Sequence, residues 1–141
     1  MRSRFPVAVH LFFFRDDHVL LLRRFNTGWE DGKYSVPAGH VEIGETVIQA
    51  TIREAREEIG VQLEHQDIEV VHVMNRKSEE ERIDFFLVVK RWTGEIVNNE
   101  PDKCDELSWY PLTALPSNVI PYVRKGWENY RDRISFSEFG W

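Results

Sequence analysis

The chain has 141 residues, 42% of them hydrophobic, and a formal net charge of −6. That length suits one domain with a full core, residues 1–141. The acidic balance, with no basic stripe, argues against a protein that grips long nucleic acid through its phosphates. It leaves a small nucleotide open as a partner, because a metal ion can screen phosphates. A single cysteine, Cys104, cannot close an internal disulfide and fits a reducing cytoplasm. It lies in a polar, loop-like run and reads as incidental.

Val7 to Phe14 is rich in β-formers and reads as a buried strand. His10 interrupts it, and it is too short to cross a bilayer. No small-residue cleavage site follows it, so neither a signal peptide nor a membrane span is expected. Arg15, Asp16 and Asp17 make a turn into a second strand, His18 to Phe25. Asn26 to Lys33 holds two glycines and is a loop. Tyr34 to Pro37 returns as a short strand, with Val41 and Glu42 expected to pair just beyond Gly39.

A helix is expected from about Thr46 to Ile59. Thr46 with Gln49 three residues on forms a capping box, and Gly60 suits the left-handed stop. Ile48, Ile52, Ala55 and Ile59 recur at helical spacing and form the expected core face. Glu54, Glu57 and Glu58 stand at i, i+3 and i+4, sharing another face. Crowded carboxylates repel and lose water. The cluster reads either as a solvated acidic helix face or as the seat of a hard divalent cation, Mg2+ or Mn2+, which would relieve that repulsion.

Ile68 to Asn75 and Ile83 to Trp92 read as two further strands, and Glu106 to Tyr110 as another, ended by Pro111. Asn118 to Tyr130 reads as a second helix, amphipathic through Ile120, Val123 and Trp127. The aromatic tail Ile134 to Trp141 is either a docking strand or a contact with a second subunit, so monomer and homodimer both stay open. Strands interleaved with two helices predict an α/β fold, a mixed β-sheet flanked by helices.

Gly39 to Val61 also carries a long fixed spacing: Gly39, five residues, Glu45, seven residues, Arg53-Glu54, apolar Ala55, Arg56, Glu57-Glu58, Ile59, Gly60 and apolar Val61. This resembles the Nudix box at every fixed position. The resemblance implies an α/β/α sandwich and hydrolysis of a diphosphate bond in a nucleoside diphosphate linked to a further group. It implies Mg2+ or Mn2+ held by Glu54, Glu57, Glu58 and the carbonyl of Ala38. Gly39 would allow close backbone approach to substrate, and Glu45 with Arg53 would be the ion pair that ties loop to helix. Glu54 resembles the general base of some branches; in others a loop carboxylate serves.

Outside the box the layout resembles the MutT-like branch. Arg24, after Arg23, is either a substrate contact or a solvated strand-end arginine. Glu100 is the expected distal metal or water ligand, with Asp102, Asp105 and Glu106 as rivals. Asn118 resembles the asparagine that reads a purine there, and its other reading is a helix N-cap. Trp29 and Tyr34 flank the loop as base-stacking or packing residues, and His40 is not expected to ligate a hard ion.

The implied function is a nucleoside triphosphate cut to monophosphate and pyrophosphate, in the manner of a modified-nucleotide pool cleaner. The rival enzyme is an ADP-ribose or sugar-nucleotide pyrophosphatase, which by resemblance carries a proline downstream of the box. Asn75 to Ser78 holds none. A non-catalytic nucleotide sensor is the rival of another class, but no box position is degraded.

Overall fold

The computed structural model describes residues 1–141. Strands β1 (Val7–Arg15) and β2 (His18–Arg24) form a hairpin whose turn residues Asp16 and Asp17 both take positive φ, 47° and 62°. That is the primed turn that matches strand twist, and aspartate tolerates it. Next come β3 (Tyr34–Ser35), β4 (Ala38–His40), helix α1 (Val47–Ile59), β5 (Ile68–Lys77), β6 (Glu81–Val89), β7 (Cys104–Pro111), helix α2 (Pro121–Arg131) and β8 (Phe136–Phe139).

The strand order is β3-β2-β1-β6-β5-β8, with β4 also on β1 and β7 also on β2. The sheet is mixed: β1 runs parallel to β6, β8 parallel to β5, and the other pairs are antiparallel. One edge of β1 is shared. Ala8 to His10 pair with β4, while Phe14 and Arg15 pair with β2.

Alternation along β1 builds two cores. Val9, Leu11 and Phe13 pack with Ala50, Ala55 and Ile59 of α1, and Phe12 packs with Phe86 and with Tyr122 and Val123 of α2. The helices therefore cover opposite faces, which makes the expected α/β/α sandwich. Each large apolar side chain buried this way contributes roughly 1.5–3 kcal/mol. Gly126 lets α2 sit close, because a Cβ there would lie 2.3 Å from the Phe86 ring.

Helix α1 has the expected ends. Thr46 Oγ1 accepts from Gln49 N at 3.0 Å, Gln49 Oε1 accepts from Thr46 N at 2.9 Å, and Gly60 takes φ 72°. Its buried face differs from expectation. Ala50, Thr51, Glu54, Ala55 and Ile59 are buried, whereas Ile48 and Ile52 are only partly covered. The small Ala50 and Thr51 bring the helix close to the sheet, which carries Glu54 inward.

Helix α2 starts at Pro121, not Asn118, with Ile120 as its N-cap residue. Proline's fixed φ suits the first helical position, and its missing N–H is no loss there. Asn118 instead lies in a connector, where its carbonyl accepts from Tyr34 N at 3.1 Å. The pairing after Pro37 also differs: Ala38–His40 is the paired segment, and Val41 follows with one bond to Val7. Cys104 is no loop residue; it opens β7 and is buried. The tail docks as β8 along β5, pairing Phe136 with Val73.

Candidate active site

The box segment forms a loop, a helix and a second loop against β4. Glu45 sits at the loop turn, where its Oε1 accepts from Glu42 N at 3.0 Å. Arg53 grips both its oxygens, Nε to Oε2 at 2.6 Å and NH2 to Oε1 at 2.9 Å. A planar fork suits such a two-point pairing. Arg53 also donates to Glu54 at 2.7 Å, to Glu57 at 3.2 Å and to the His40 carbonyl at 2.9 Å. One guanidinium thus joins the box loop, β4 and α1. The Arg53 bond, helped by Glu42 N–H, holds the Glu45 carboxyl down at about 2.

Glu54 lies beside Gly39. A Cβ on Gly39 would stand 2.1 Å from the Glu54 carboxylate, so only glycine leaves it room. Burial pushes Glu54 up; Arg53 opposes this, while Glu57 and Glu100 add to it. Glu58 accepts from Ala38 N at 3.0 Å, which fixes the helix to β4. Burial raises its carboxyl well above the ordinary value, and Glu54 and Glu100 raise it further. The Ala38 N–H pulls the other way without winning, and Glu58 has no ion-pair partner. Glu57 is the exposed member, 53% by side chain, and rests on Arg53.

A hollow of about 350 Å³ opens over Glu58 and includes Ala38, Arg24, Thr27, Glu100 and Lys103. Glu100 is the one rival carboxylate that lines it. Asp105 is held by Arg23 at 2.8 and 3.2 Å, Glu106 is tied to the Tyr34 and Tyr110 hydroxyls, and Asp102 lies outside. No three His, Cys, Asp or Glu side chains converge into a ready-made ligand cluster. Glu54 and Glu100 nevertheless add to the charge cost of Glu58, and oxygen donors of this kind suit a hard divalent cation.

Arg24 is not simply solvated. It donates to the Trp29 carbonyl at 2.8 Å and to Thr27 Oγ1 at 3.0 Å, and its guanidinium carbon lies 4.9 Å from the Trp29 ring centre. It builds the Asn26–Lys33 loop while lining the hollow. Asn118 Nδ2 donates to Gly32 O at 2.9 Å, so this side chain also steadies that loop. Trp29 is 45% exposed, whereas Tyr34 is buried and bonded to Glu106.

A larger cleft of about 1120 Å³ lies on the α2 side of β4 and shares Arg24, Ala38 and Lys103 with the first hollow. Its floor holds His10, Arg76 and Arg82, none of which the motif points to. The available signal was His10 in the middle of an apolar strand, and Asp84 flanked by Ile83 and Phe85.

The NUDIX domain family model matches residues 4–132. The chain is 37% identical over 102 residues to the NAD-capped RNA hydrolase NudC of Pseudomonas aeruginosa, covering 72% of this chain and 34% of that protein. It is 32% identical over 114 residues to the human 8-oxo-dGDP phosphatase NUDT18, covering 79% of this chain and 33% of that protein. The chain thus spans about a third of the length of these two relatives. It covers 89% of the Escherichia coli 8-oxo-dGTP diphosphatase, at 26% identity and 84% of its own length. Among solved structures, the MutT NUDIX hydrolase of Burkholderia pseudomallei superposes with a TM-score of 0.81 at 27% identity, over 89% of this chain and 98% of that one. The MutT protein of Methanosarcina mazei Go1 gives 0.78 at 20% identity, over 94% and 96%, and shares the fold. Family model, relatives and fold agree: the chain belongs to the Nudix hydrolase family and has a MutT-like fold.

Proposed function

We propose that this protein hydrolyses a diphosphate bond in a nucleoside triphosphate, releasing the monophosphate and pyrophosphate, with Mg2+ or Mn2+ as cofactor. The observation that carries this reading is Glu58: a partly buried carboxylate, pressed by Glu54 and Glu100 and with no cationic side chain in ion-pair contact, facing a hollow beside Arg24. A divalent ion held by Glu54, Glu57, Glu58, Glu100 and the Ala38 carbonyl would neutralise the diphosphate and lower the pKa of a water.

The remaining work is positioning, which dominates phosphoryl transfer. Glu45 and Arg53 hold the loop against the helix, so the glutamates keep their spacing. Gly39 lets Glu54 and the backbone come close together. Glu54, raised by burial, is the carboxylate suited to take a proton from the attacking water. Arg24 and Lys103 present cationic groups to the phosphates at the wall between the two hollows. Asn118 acts on base choice through the Asn26–Lys33 loop, to which it is bonded.

The relative named an 8-oxo-dGTP diphosphatase covers most of this chain and supports a role in clearing modified nucleotides. The relative named an NAD-capped RNA hydrolase supports a second reading, a diphosphate that joins two nucleosides. No helix is long and apolar enough to cross a membrane. The test is a substrate panel with Mg2+, scoring phosphate and pyrophosphate separately. Pyrophosphate from a nucleoside triphosphate is the expected product. ADP-ribose or a sugar nucleotide as the best substrate would overturn the triphosphate reading.

A further inference from the structure

The α2 side of the sheet carries a group of charges that diphosphate hydrolysis does not use. Asp84 on β6 is fully buried. It accepts from His10 Nε2 at 3.0 Å and from Arg76 Nε at 2.6 Å, and Arg82 Nε stands 4.0 Å away. Both carboxylate oxygens are engaged. Burial pushes the Asp84 carboxyl up, but the bonds and charges of His10 and Arg76 together hold it at about 2.

What the group leaves over is donors. Two guanidiniums face one carboxylate. Arg76 is 4% exposed, bonds only through Nε, and lies with its guanidinium carbon 3.6 Å from the Tyr122 ring centre. Arg82 NH2 meets His40 Nε2 at 2.7 Å, but Arg82 Nε is buried without a partner. His10 is 2% exposed, its ring stacks on Phe86 at 4.8 Å, and its Nδ1 is also buried without a partner. Nε2, facing a carboxylate, is the ring nitrogen that donates to Asp84.

These three side chains line the floor of the larger cleft. Three acidic residues also line the cleft: Glu79 and Glu80 are exposed, and Glu30 is paired with Lys33 at 2.7 Å. The cleft runs past Ala38 and Gly39, whose other contacts are Glu58 and Glu54, and it shares Arg24 and Lys103 with the glutamate hollow. A substrate with its diphosphate over the glutamates can therefore reach the floor with its nucleoside end.

We infer that His10, Arg76 and Arg82 form a specificity subsite for an oxyanion, a phosphate or a carboxylate, carried on the nucleoside side of the substrate. The subsite rests on the diphosphate reading for its place in the reaction, but binding to it does not. Arg82 is the residue to vary, because it reaches the surface and is not the partner that neutralises Asp84.

The test is calorimetric affinity in EDTA, so that neither metal nor turnover enters. Two pairs of probes separate the sources of charge. Adenosine 5′-monophosphate is compared with adenosine 3′,5′-bisphosphate, and uridine 5′-monophosphate with orotidine 5′-monophosphate, which adds a carboxylate to the base. At least one acidic member should bind about ten-fold tighter than its parent, the scale of one charge-assisted contact. A gain in the first pair alone assigns a sugar phosphate, and in the second alone a base carboxylate. In Arg82→Gln that preference should fall to near unity, while the parents' affinities and the melting temperature stay put. Arg82→Lys, which keeps the charge and loses the fork, should retain part of it. Parents that bind as tightly as both acidic members would overturn the subsite. So would a preference that survives both substitutions, or an equal weakening of all four probes. A flat affinity series sinks the subsite alone, whereas absence of pyrophosphate release sinks the hydrolase reading and leaves these affinities to be read as they stand.

Discussion

Glu58 and Asp84 are two carboxylates withdrawn from water, Glu58 partly and Asp84 fully, and they are treated in opposite ways. Asp84 has His10 and Arg76 in contact and is held at about 2. Glu58 has one backbone N–H from Ala38, with Glu54 and Glu100 pushing its carboxyl up. Burying a charge is costly unless it is paired. The chain completes the pairing of Asp84 from its own side chains and does not do so for Glu58. On the proposed function, the difference separates a charge that serves the fold from one kept for a bound cation.

The largest effect should come from removing that second charge. Glu58→Gln should lower turnover by about 10³-fold, since a divalent ion's stabilisation of phosphoryl charge is worth several kcal/mol and each 1.36 kcal/mol is ten-fold in rate. Steady-state kinetics at saturating Mg2+ checks it, and a near-normal rate would break the contrast with Asp84. Asp84→Asn should act on the other quantity, costing about 3–5 kcal/mol of stability by leaving Arg76 buried and unpaired. Denaturant unfolding reads that loss. A variant as stable as the parent would show that the Asp84 group does not hold the fold.

Glu45→Ala should come next, with a fall of roughly 10–100-fold in activity or metal affinity, because the carboxylate orients Arg53 rather than the substrate. Wild-type activity in that variant would make the 2.6 Å pairing irrelevant to the site.

The smallest effect is in pH dependence, and its sign differs between the two carboxylates. Asp84 has a lowered value, so its stabilisation is present above the unfolded value near 3.8 and is lost as pH falls toward about 2. Glu58 has a raised value. Its contribution is complete below 4.5 and is lost as pH rises through the folded value. In EDTA, the melting temperature of the parent should therefore fall as pH rises from 4.5, and Glu58→Gln should flatten that fall. Parallel curves for the two proteins would contradict the burial of Glu58 as an uncompensated charge.

Much of the first region was legible because it is local. Thr46, Gln49 and Gly60 mark the helix ends within a few residues, and Glu45 with Arg53 follows from fixed spacing in the box. The burial of Glu54 was not legible, since it depends on Gly39 arriving from β4 with no side chain in the way. Asn118 resembled a helix cap because asparagine before an apolar periodic run usually is one, but Pro121 takes the first helical position and moves the start. The second region was hidden for a different reason. His10 and Asp84 are 74 positions apart and meet only because β1 and β6 pair in parallel, with His10 opposite Phe86 and Ala8 opposite Asp84. Sequence periodicity can show that a polar residue interrupts an apolar strand, but register decides what it meets.

Phosphorus NMR on a nucleoside triphosphate, with Mg2+ and then with excess EDTA, tests the central claim most directly, with Glu58→Gln run alongside. Monophosphate and pyrophosphate should appear in equal amounts with Mg2+, neither product should form in EDTA, and the variant should form them about 10³-fold more slowly. Orthophosphate as the first product, or undiminished hydrolysis in EDTA, would contradict the account.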